Sequence, residues 1–413
     1  MLSLLRRNRE IRLVFAAQVI SYLGDWFTFV ALAGLVEDLT GSKFLVSLVL
    51  VSFTLPAFFT SPIAGAMADR YDRRRIIIVV SLGQGVAALS MLLVTDSRVW
   101  FAFVAQSVIS GLGAFVRPAS EAAIPNLVDN EDDLRTANSV FGSTWGVMLA
   151  LGAALGGIFS QTFGRNAAFL FDAVSFCIAA GLIALVHRAM QSHETGTGSG
   201  KRIQPIADMK EAVTLARQDP IILALLSSKV TFAVGAGIVS QLPILASNAF
   251  NAGDAGRGLL IGARGVGSGL GPLIAMRLVG NDMSKLLRVC GFAGLVFSGC
   301  YFGAAISPVM PLACLFIGLA HLGGGAQWTL STYGLQVESP DHLRGRVMAG
   351  DFALVTLMLG LTSILAGLTS DAIGVRPTIA IFATAAAAAS ITYLLLTKKL
   401  VRQIRARSLS KLI

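Results

Sequence analysis

The sequence is poor in charged residues. Aspartate, glutamate, lysine and arginine together make up 14% of its 413 residues, whereas a soluble globular protein carries roughly 25%. A soluble chain of this length needs a charged surface around its core, so this deficit excludes an ordinary soluble domain. The hydrophobic fraction of 54% is instead typical of a protein whose surface faces lipid.

Cysteine and histidine are also scarce, with four of each. The cysteines lie inside apolar stretches without C-x-x-C spacing, and the histidines have no metal-ligand spacing. We therefore expect no metal and no cofactor. The formal net charge of +10 would suit nucleic acid. However, the basic residues form short clusters between apolar stretches, as in cytoplasmic loops, so we expect no nucleic-acid partner.

Long apolar stretches, in contrast, are abundant. A helix needs about 20 apolar residues to cross a bilayer, and twelve stretches meet that requirement. The sequence therefore predicts an all-α integral membrane protein. The predicted spans lie at 13–36, 44–67, 76–95, 99–122, 138–161, 166–187, 221–247, 256–279, 287–306, 309–334, 347–370 and 374–397.

The distribution of lysine and arginine predicts the orientation. If both termini face the cytoplasm, 26 of these residues lie in cytoplasmic segments and 5 in outer turns, while Lys229 and Arg264 lie within spans. Positively charged loops remain in the cytoplasm. We therefore expect a multi-pass protein of the bacterial inner membrane with cytoplasmic N- and C-termini.

The polar stretch between the sixth and seventh spans divides the chain into two halves. We interpret 1–187 and 220–397 as six-helix bundles. Residues 188–219 form a cytoplasmic linker with a short surface helix near 208–217, and 398–413 form a basic cytoplasmic tail. Glycines recur at nearly the same offsets in the two halves, which indicates a pseudo-repeat. Such repeats place a substrate site between the halves, near the bilayer midplane.

The loop between the second and third spans contains the most informative motif, Gly65-Ala-Met-Ala-Asp69-Arg70-Tyr-Asp-Arg73-Arg74. It resembles the major facilitator superfamily signature G-x-x-x-D-R/K-x-G-R/K-R/K. Asp72 stands where the signature has its second glycine. The resemblance implies two six-helix bundles and alternating access. It also implies a gate, in which Gly65 lets helices approach and Asp69 meets a helix N-terminus or an arginine.

Four further stretches resemble the drug and siderophore exporter branch of that superfamily, which contains macrolide efflux proteins and an enterobactin exporter. They lie at 24–26, 117–125, 171–173 and 344–347. The resemblance implies export driven by a proton gradient, and a monomer. Ala153 stands where the antiporter motif of the fifth span, G-P-x-x-G-G, has its proline. Ser107 stands where the motif R-x-x-Q-G of the fourth span has its arginine. A uniporter or a lysophospholipid flippase therefore stays open.

Ionisable residues within spans are the best site candidates, because a charge costs free energy inside the bilayer. Asp25 could exchange a proton, since burial favours the protonated form of a carboxyl group. It could equally pair with Lys229 or Arg264, and those two residues could instead bind an anionic substrate. Including the positions that the resemblance places along the cavity, the candidate proton and substrate site comprises Asp25, Lys229, Gln241, Arg264, His321 and Gln327.

Other positions are candidates for gating or for helix packing. Arg117 and Glu121 have the spacing of an ion pair on one helix face. Small residues allow close helix contacts. The candidate gate charges are Arg117, Glu121, Asp172, Arg344 and Asp351, and the packing glycines are Gly152, Gly156 and Gly157.

The pattern therefore favours proton-coupled export of a lipophilic, drug-like small molecule through the lipid bilayer. A siderophore exporter is an alternative. A membrane enzyme is disfavoured, because the sequence has no H-E-x-x-H motif and no Walker A loop. A sensor is also disfavoured, because the longest polar segment is the linker.

Overall fold

The ends of the first long helix are fixed by local sequence. The Asn8 side chain accepts a hydrogen bond from the Ile11 backbone N–H over 3.0 Å, which satisfies a free donor at the helix start. Gly41 ends the helix at φ 63°, a conformation that glycine adopts without steric cost. Side chains cap five further helices in the same way, namely Ser42, Asp72, Asn130, Asp219 and Asp282.

The computed structural model describes residues 2–191, 214–280 and 282–410. These residues contain twelve helices long and apolar enough to cross a membrane, which confirms the predicted number. They are TM1 (Arg9–Thr40), TM2 (Lys43–Arg70), TM3 (Arg73–Ser90), TM4 (Trp100–Leu127), TM5 (Glu131–Phe163), TM6 (Arg165–Ala184), TM7 (Pro220–Gly235 and Leu242–Phe250), TM8 (Asp254–Val279), TM9 (Met283–Ile306), TM10 (Met310–Glu338), TM11 (Asp341–Ile373) and TM12 (Val375–Ser410).

Equivalent glycines join equivalent helices in the two halves. Gly164 connects TM5 to TM6 with φ 86° and ψ 157°, and Gly374 connects TM11 to TM12 with φ 92° and ψ 165°. A side chain is strained at such φ values. TM5 and TM11 each contain 33 residues. The predicted pseudo-repeat is therefore visible in backbone geometry.

The chain forms two compact units. The first contains TM1 to TM6 and Ala252–Gly262, at the beginning of TM8, and the second contains TM7, the rest of TM8 and TM9 to TM12. Each unit has its own apolar core. Many large apolar side chains stay exposed, such as Val86 and Leu396, as expected of helices that face lipid.

TM7 departs from the predicted continuous span at 221–247. A 3-10 segment, Ala236–Gln241, separates its two α-helical parts. Pro243 lies in the first turn of the second part, where its ring disfavours an α-helical turn before it.

The C-terminal boundary also differs, because TM12 continues to Ser410 through most of the predicted tail. Of the predicted surface helix, residues 214–218 are helical, and 208–213 lie outside the described residues.

Candidate functional site

The first unit contains a partly open cavity of about 280 Å³. TM1 contributes Gln18, Tyr22 and Asp25 to its wall, and TM4 contributes Arg117 and Glu121. Apolar and small side chains from TM1 and TM3 to TM6, together with the polar Gln84 and Asn138, complete the lining. A wall that combines apolar surface with placed polar groups is usual for a small-molecule site.

Two carboxyl groups lie together beside this cavity. Asp25 lines the cavity, whereas Asp172 of TM6 is fully buried behind it, and the two interact electrostatically. Thr28 donates a hydrogen bond of 2.6 Å to Asp172 Oδ2. Among the described residues, neither carboxylate forms an ion pair. Asp172 is thus a neighbour of Asp25, which the sequence did not indicate.

The candidate gate pair on TM4 is formed. Arg117 Nε donates to Glu121 Oε1 over 2.8 Å, and both side chains are exposed to the cavity. Tyr22 interacts electrostatically with Arg117, Glu121 and Asp25. The wall therefore combines a neutralised ion pair with an uncompensated carboxylate.

In the second unit, Lys229 of TM7 forms a buried ion pair with Asp351 of TM11. Lys229 also donates to Thr332 Oγ1 over 2.8 Å, and its ammonium lies 4.8 Å from the centre of the Trp328 ring. The sequence raised Asp25 as a partner for Lys229 and placed Asp351 among the gate charges. The structure instead pairs Lys229 with Asp351.

The two glutamine candidates are fully buried in the second unit. Gln241 ends the 3-10 segment of TM7 and donates to Ser240 Oγ over 3.1 Å. Gln327 of TM10 donates to Thr231 Oγ1 over 2.7 Å, and its Oε1 has no hydrogen-bond partner. Gln327 thus joins TM10 to TM7 and leaves one acceptor unused.

His321 belongs to a separate polar cluster of the second unit. Its Nε2 lies 2.7 Å from Tyr301 Oη of TM9, and its Nδ1 lies 3.5 Å from Ser268 Oγ of TM8. Arg264, one turn before Ser268, interacts electrostatically with both rings. Tyr301 was not a candidate, because the sequence gives no signal that it reaches His321.

The structure shows why the signature loop tolerates Asp72. Asp72 Oδ1 accepts a hydrogen bond of 2.8 Å from the Arg75 N–H and caps TM3. Arg73 donates to three backbone oxygens, those of Ala68, Ala122 and Met190.

The other motif residues are placed as follows. Arg74 donates to the Arg188 oxygen over 3.2 Å, and Arg70 is exposed at the end of TM2. Gly65 and Asp69 fall within TM2, but their surroundings lie outside the described residues, so their gating role stays a prediction.

The three candidate packing glycines of TM5 all face close neighbours. A Cβ at Gly152 would lie 3.1 Å from Trp26, and one at Gly156 would lie 2.8 Å from the Phe27 backbone. At Gly157 the Cβ would lie 2.3 Å from the backbone oxygen of Asp254. The remaining gate candidate, Arg344, donates to the Ser339 oxygen over 3.3 Å.

The first unit also contains an ion-pair cluster that the sequence does not indicate. Arg165, at the start of TM6, contacts Asp38 over 2.7 Å and Asp254 over 2.8 Å. Arg257 contacts Glu37 over 2.7 Å and Asp254 over 2.5 Å. Loop charges far apart in sequence carry no signal of such pairing, so the sequence predicts only that both arginines lie in outer turns.

Comparison with known proteins identifies a family. The profile of the Major Facilitator Superfamily matches residues 14–350. The chain is 26% identical to the multidrug efflux pump Tap of Mycolicibacterium fortuitum, over 90% of this chain and 92% of Tap. It is 23% identical to the staphyloferrin A transporter of Staphylococcus aureus, over 94% of this chain and 96% of that protein.

Two further comparisons concern coverage and fold. The chain is 28% identical to the uncharacterized MFS-type transporter YfiS of Bacillus subtilis, and this match spans 53% of the chain and 52% of YfiS. A crystal structure of a bacterial homologue of the human lysosomal transporter Spinster superposes with a TM-score of 0.70 at 15% identity, over 96% of this chain and 97% of the other. That similarity shows the shared fold.

Proposed function

Because the chain belongs to the major facilitator superfamily, and is therefore a multi-pass membrane transporter and not an enzyme, we propose that it is a proton-coupled exporter. Its substrates are lipophilic or amphipathic small molecules that leave the cytoplasm of a bacterium across the inner membrane. The two halves alternate access to the substrate, and the proton gradient supplies the driving force.

The single observation that carries proton coupling is the position of Asp25. It lines the cavity of the first unit beside the buried Asp172, and neither carboxylate forms an ion pair among the described residues. Two carboxylates that share a buried site repel each other, and a proton on one of them relieves the repulsion. Asp25 also lines the cavity, so gain or loss of that proton changes the charge of the wall that a substrate meets. Proton binding and substrate binding are therefore coupled through the cavity, which is what antiport requires.

The choice of export rests on similarity. Tap is named a multidrug efflux pump, and the cavity wall combines apolar and polar side chains, which suits an amphipathic drug. The similarity to a staphyloferrin A transporter supports the siderophore alternative.

The test uses purified protein in liposomes that contain a pH-sensitive dye. Ethidium, erythromycin, a catechol siderophore and a lysophospholipid are added in turn. We expect at least one of them to trigger proton movement, and Asp25→Asn to abolish it, because an amide cannot carry the exchanged proton. Asp25→Glu should retain part of the coupling.

The matched control is Asp96→Asn, which makes the same change in the exposed turn between TM3 and TM4 and should leave coupling intact. Substrate movement without proton movement in the unmodified protein would contradict the proposal. It would favour a uniporter or a lysophospholipid flippase, the alternative that Ala153 and Ser107 left open. Coupling that survives Asp25→Asn would show that Asp25 is not the proton carrier.

A further inference from the structure

Arg264 is an uncompensated cation within the membrane-spanning part of the second unit. It lies ten residues after Asp254, the first residue of TM8, or roughly 15 Å along the helix at 1.5 Å per residue. Its Nε atom is shielded from solvent and has no hydrogen-bond partner. Among the described residues, no carboxylate forms an ion pair with it. Such a charge is costly inside a membrane and marks a functional site.

The groups next to Arg264 are hydrogen-bond donors and not anions. Tyr301 and His321 interact electrostatically with the guanidinium, and their side chains contact each other over 2.7 Å. Ser268 adds a hydroxyl group 3.5 Å from the other ring nitrogen of His321. The guanidinium can donate to a ligand acceptor, and so can the Tyr301 phenol in the tautomer in which His321 Nε2–H donates to the phenol oxygen. The cluster therefore has positive charge and donors but lacks an anionic acceptor.

Close helix contacts hold this cluster in place. A Cβ at Gly267 would lie 2.0 Å from the Gly318 oxygen, and one at Gly271 would lie 2.1 Å from the Leu322 oxygen. TM8 and TM10 therefore approach through their backbones on both sides of Ser268. The Phe297 ring packs on the rings of Tyr301 and His321, with centroids 4.8 and 5.6 Å away. A subsite built on packed helices is preorganised, which favours binding.

Lys229 provides the contrast within the same unit. Its charge is neutralised by Asp351, and both side chains are at most 5% exposed. Lys229 therefore has no charge available for a ligand, although the sequence left it open as an anion-binding residue together with Arg264. The structure thus separates the two cations, with one in a closed ion pair and the other without an anion.

We infer that Arg264, Tyr301 and His321 form a subsite for an anionic oxygen group, a carboxylate or phosphate, carried by the transported molecule. The guanidinium binds two oxygens of such a group through parallel hydrogen bonds, and the Tyr301 hydroxyl donates a further one. This inference rests on the proposed function as a small-molecule exporter. It narrows the substrate class to amphipathic molecules that carry an acidic group.

The test measures binding to purified protein in nanodiscs of pure phosphatidylcholine by equilibrium dialysis. The probes are 2-naphthoate and 2-naphthamide, which have nearly the same shape and differ in charge. We expect naphthoate to bind at least about tenfold more tightly, as one charged hydrogen bond provides. Arg264→Gln should remove this preference, Arg264→Lys should keep part of it, and Tyr301→Phe should weaken naphthoate binding several-fold.

Arg277→Gln is the matched control, because Arg277 is exposed on the same helix and should leave binding unchanged. Equal affinity for the two probes, or an unchanged preference in Arg264→Gln, would overturn the inference. Nanodiscs with equal parts phosphatidylcholine and phosphatidylglycerol distinguish a lipid headgroup from a transported molecule. If the anionic lipid displaces naphthoate from the unmodified protein, the site belongs to a headgroup and the substrate assignment is wrong.

The inference and the proposed function fail in different ways. Proton movement that depends on Asp25, without preference for naphthoate, would refute the subsite alone. Preferential naphthoate binding without any proton coupling would refute the coupling alone.

Discussion

At the scale of single residues, the buried charges differ in how they are compensated. Lys229 and Asp351 neutralise each other, with Thr332 as a further hydrogen-bond acceptor for the ammonium. Asp25 and Arg264 each lack an ion-pair partner among the described residues. A buried ion pair adds little net stability over an apolar pair, but the loss of one partner is strongly destabilising. The paired charges therefore have a structural effect, and the unpaired ones are available for protons and ligands.

This distinction predicts the effect of Lys229→Met. The substitution leaves the Asp351 carboxylate buried without a counter-charge, which should lower the free energy of unfolding by about 3–5 kcal/mol. Lys229→Met combined with Asp351→Asn should lose markedly less than the sum of the single changes, because no uncompensated charge remains. Thermal unfolding of the protein in detergent micelles measures both effects.

Lys285→Met is the control for this cycle. Lys285 lies 4.0 Å from Asp282 on the surface, and its side chain is 55% exposed, so its loss should cost about 0–1 kcal/mol. Additive effects of the Lys229 and Asp351 substitutions would contradict a coupled pair.

The signature loop shows how far single residues could be predicted. Its match to the family was visible in the sequence, as was the departure at Asp72, which stands where the family has a glycine. The structure gives Asp72 a local purpose as the cap of TM3, which the sequence also allows, because aspartate is a preferred capping residue. The binding of Arg73 to the Ala122 and Met190 oxygens could not be predicted, since it depends on contacts distant in sequence.

At the scale of elements, the number of membrane helices followed from hydrophobicity alone, but the break in TM7 did not. Apolar composition is the same in an α-helix and in a 3-10 segment, so a count of apolar residues cannot separate them. The break brings the backbone of TM7 against TM11, where a Cβ at Gly237 would lie 2.2 Å from the Thr362 oxygen. Irregular backbone within a membrane helix is common at transport sites.

This contact predicts the result of Gly237→Ala. The added methyl group must displace the backbone of TM11, and overpacking of this kind costs about 1–3 kcal/mol. We expect a lower unfolding temperature in detergent and a loss of transport, because TM7 also carries Lys229 and Gln241. Gly299→Ala on TM9 is the matched control, since no atom lies within 4 Å of a Cβ there. A Gly237→Ala variant as stable as Gly299→Ala would show that TM7 and TM11 are not packed in this way.

At the scale of the whole molecule, the repeat was predictable and the assignment of one segment was not. Matching glycines in the two halves revealed the repeat, and Gly164 and Gly374 share nearly the same backbone angles. In the sequence, Ala252–Gly262 comes after both the linker and TM7, yet it belongs to the first unit. It is held there by the pairs of Arg165 and Arg257, which only the folded chain reveals.

The orientation of the whole chain in the membrane is predicted by its charge distribution. By the positive-inside rule, the bias of 26 basic residues against 5 predicts that both termini lie in the cytoplasm. In a variant whose native cysteines are replaced by alanine, single cysteines are introduced as Ser97→Cys, in the turn between TM3 and TM4, and Ala406→Cys, near the end of TM12. Both positions are exposed in the structure, so their reactivity depends on the side of the membrane.

A membrane-impermeant maleimide added to intact cells should label Ser97→Cys and spare Ala406→Cys, which should react only after the cells are permeabilised. The reverse result would invert the whole molecule, because an even number of spans places both termini on one side and every loop changes sides with them. Labelling of both positions in intact cells would instead place them on the same side of the membrane. That result would contradict the odd number of spans, TM4 to TM12, that separates them.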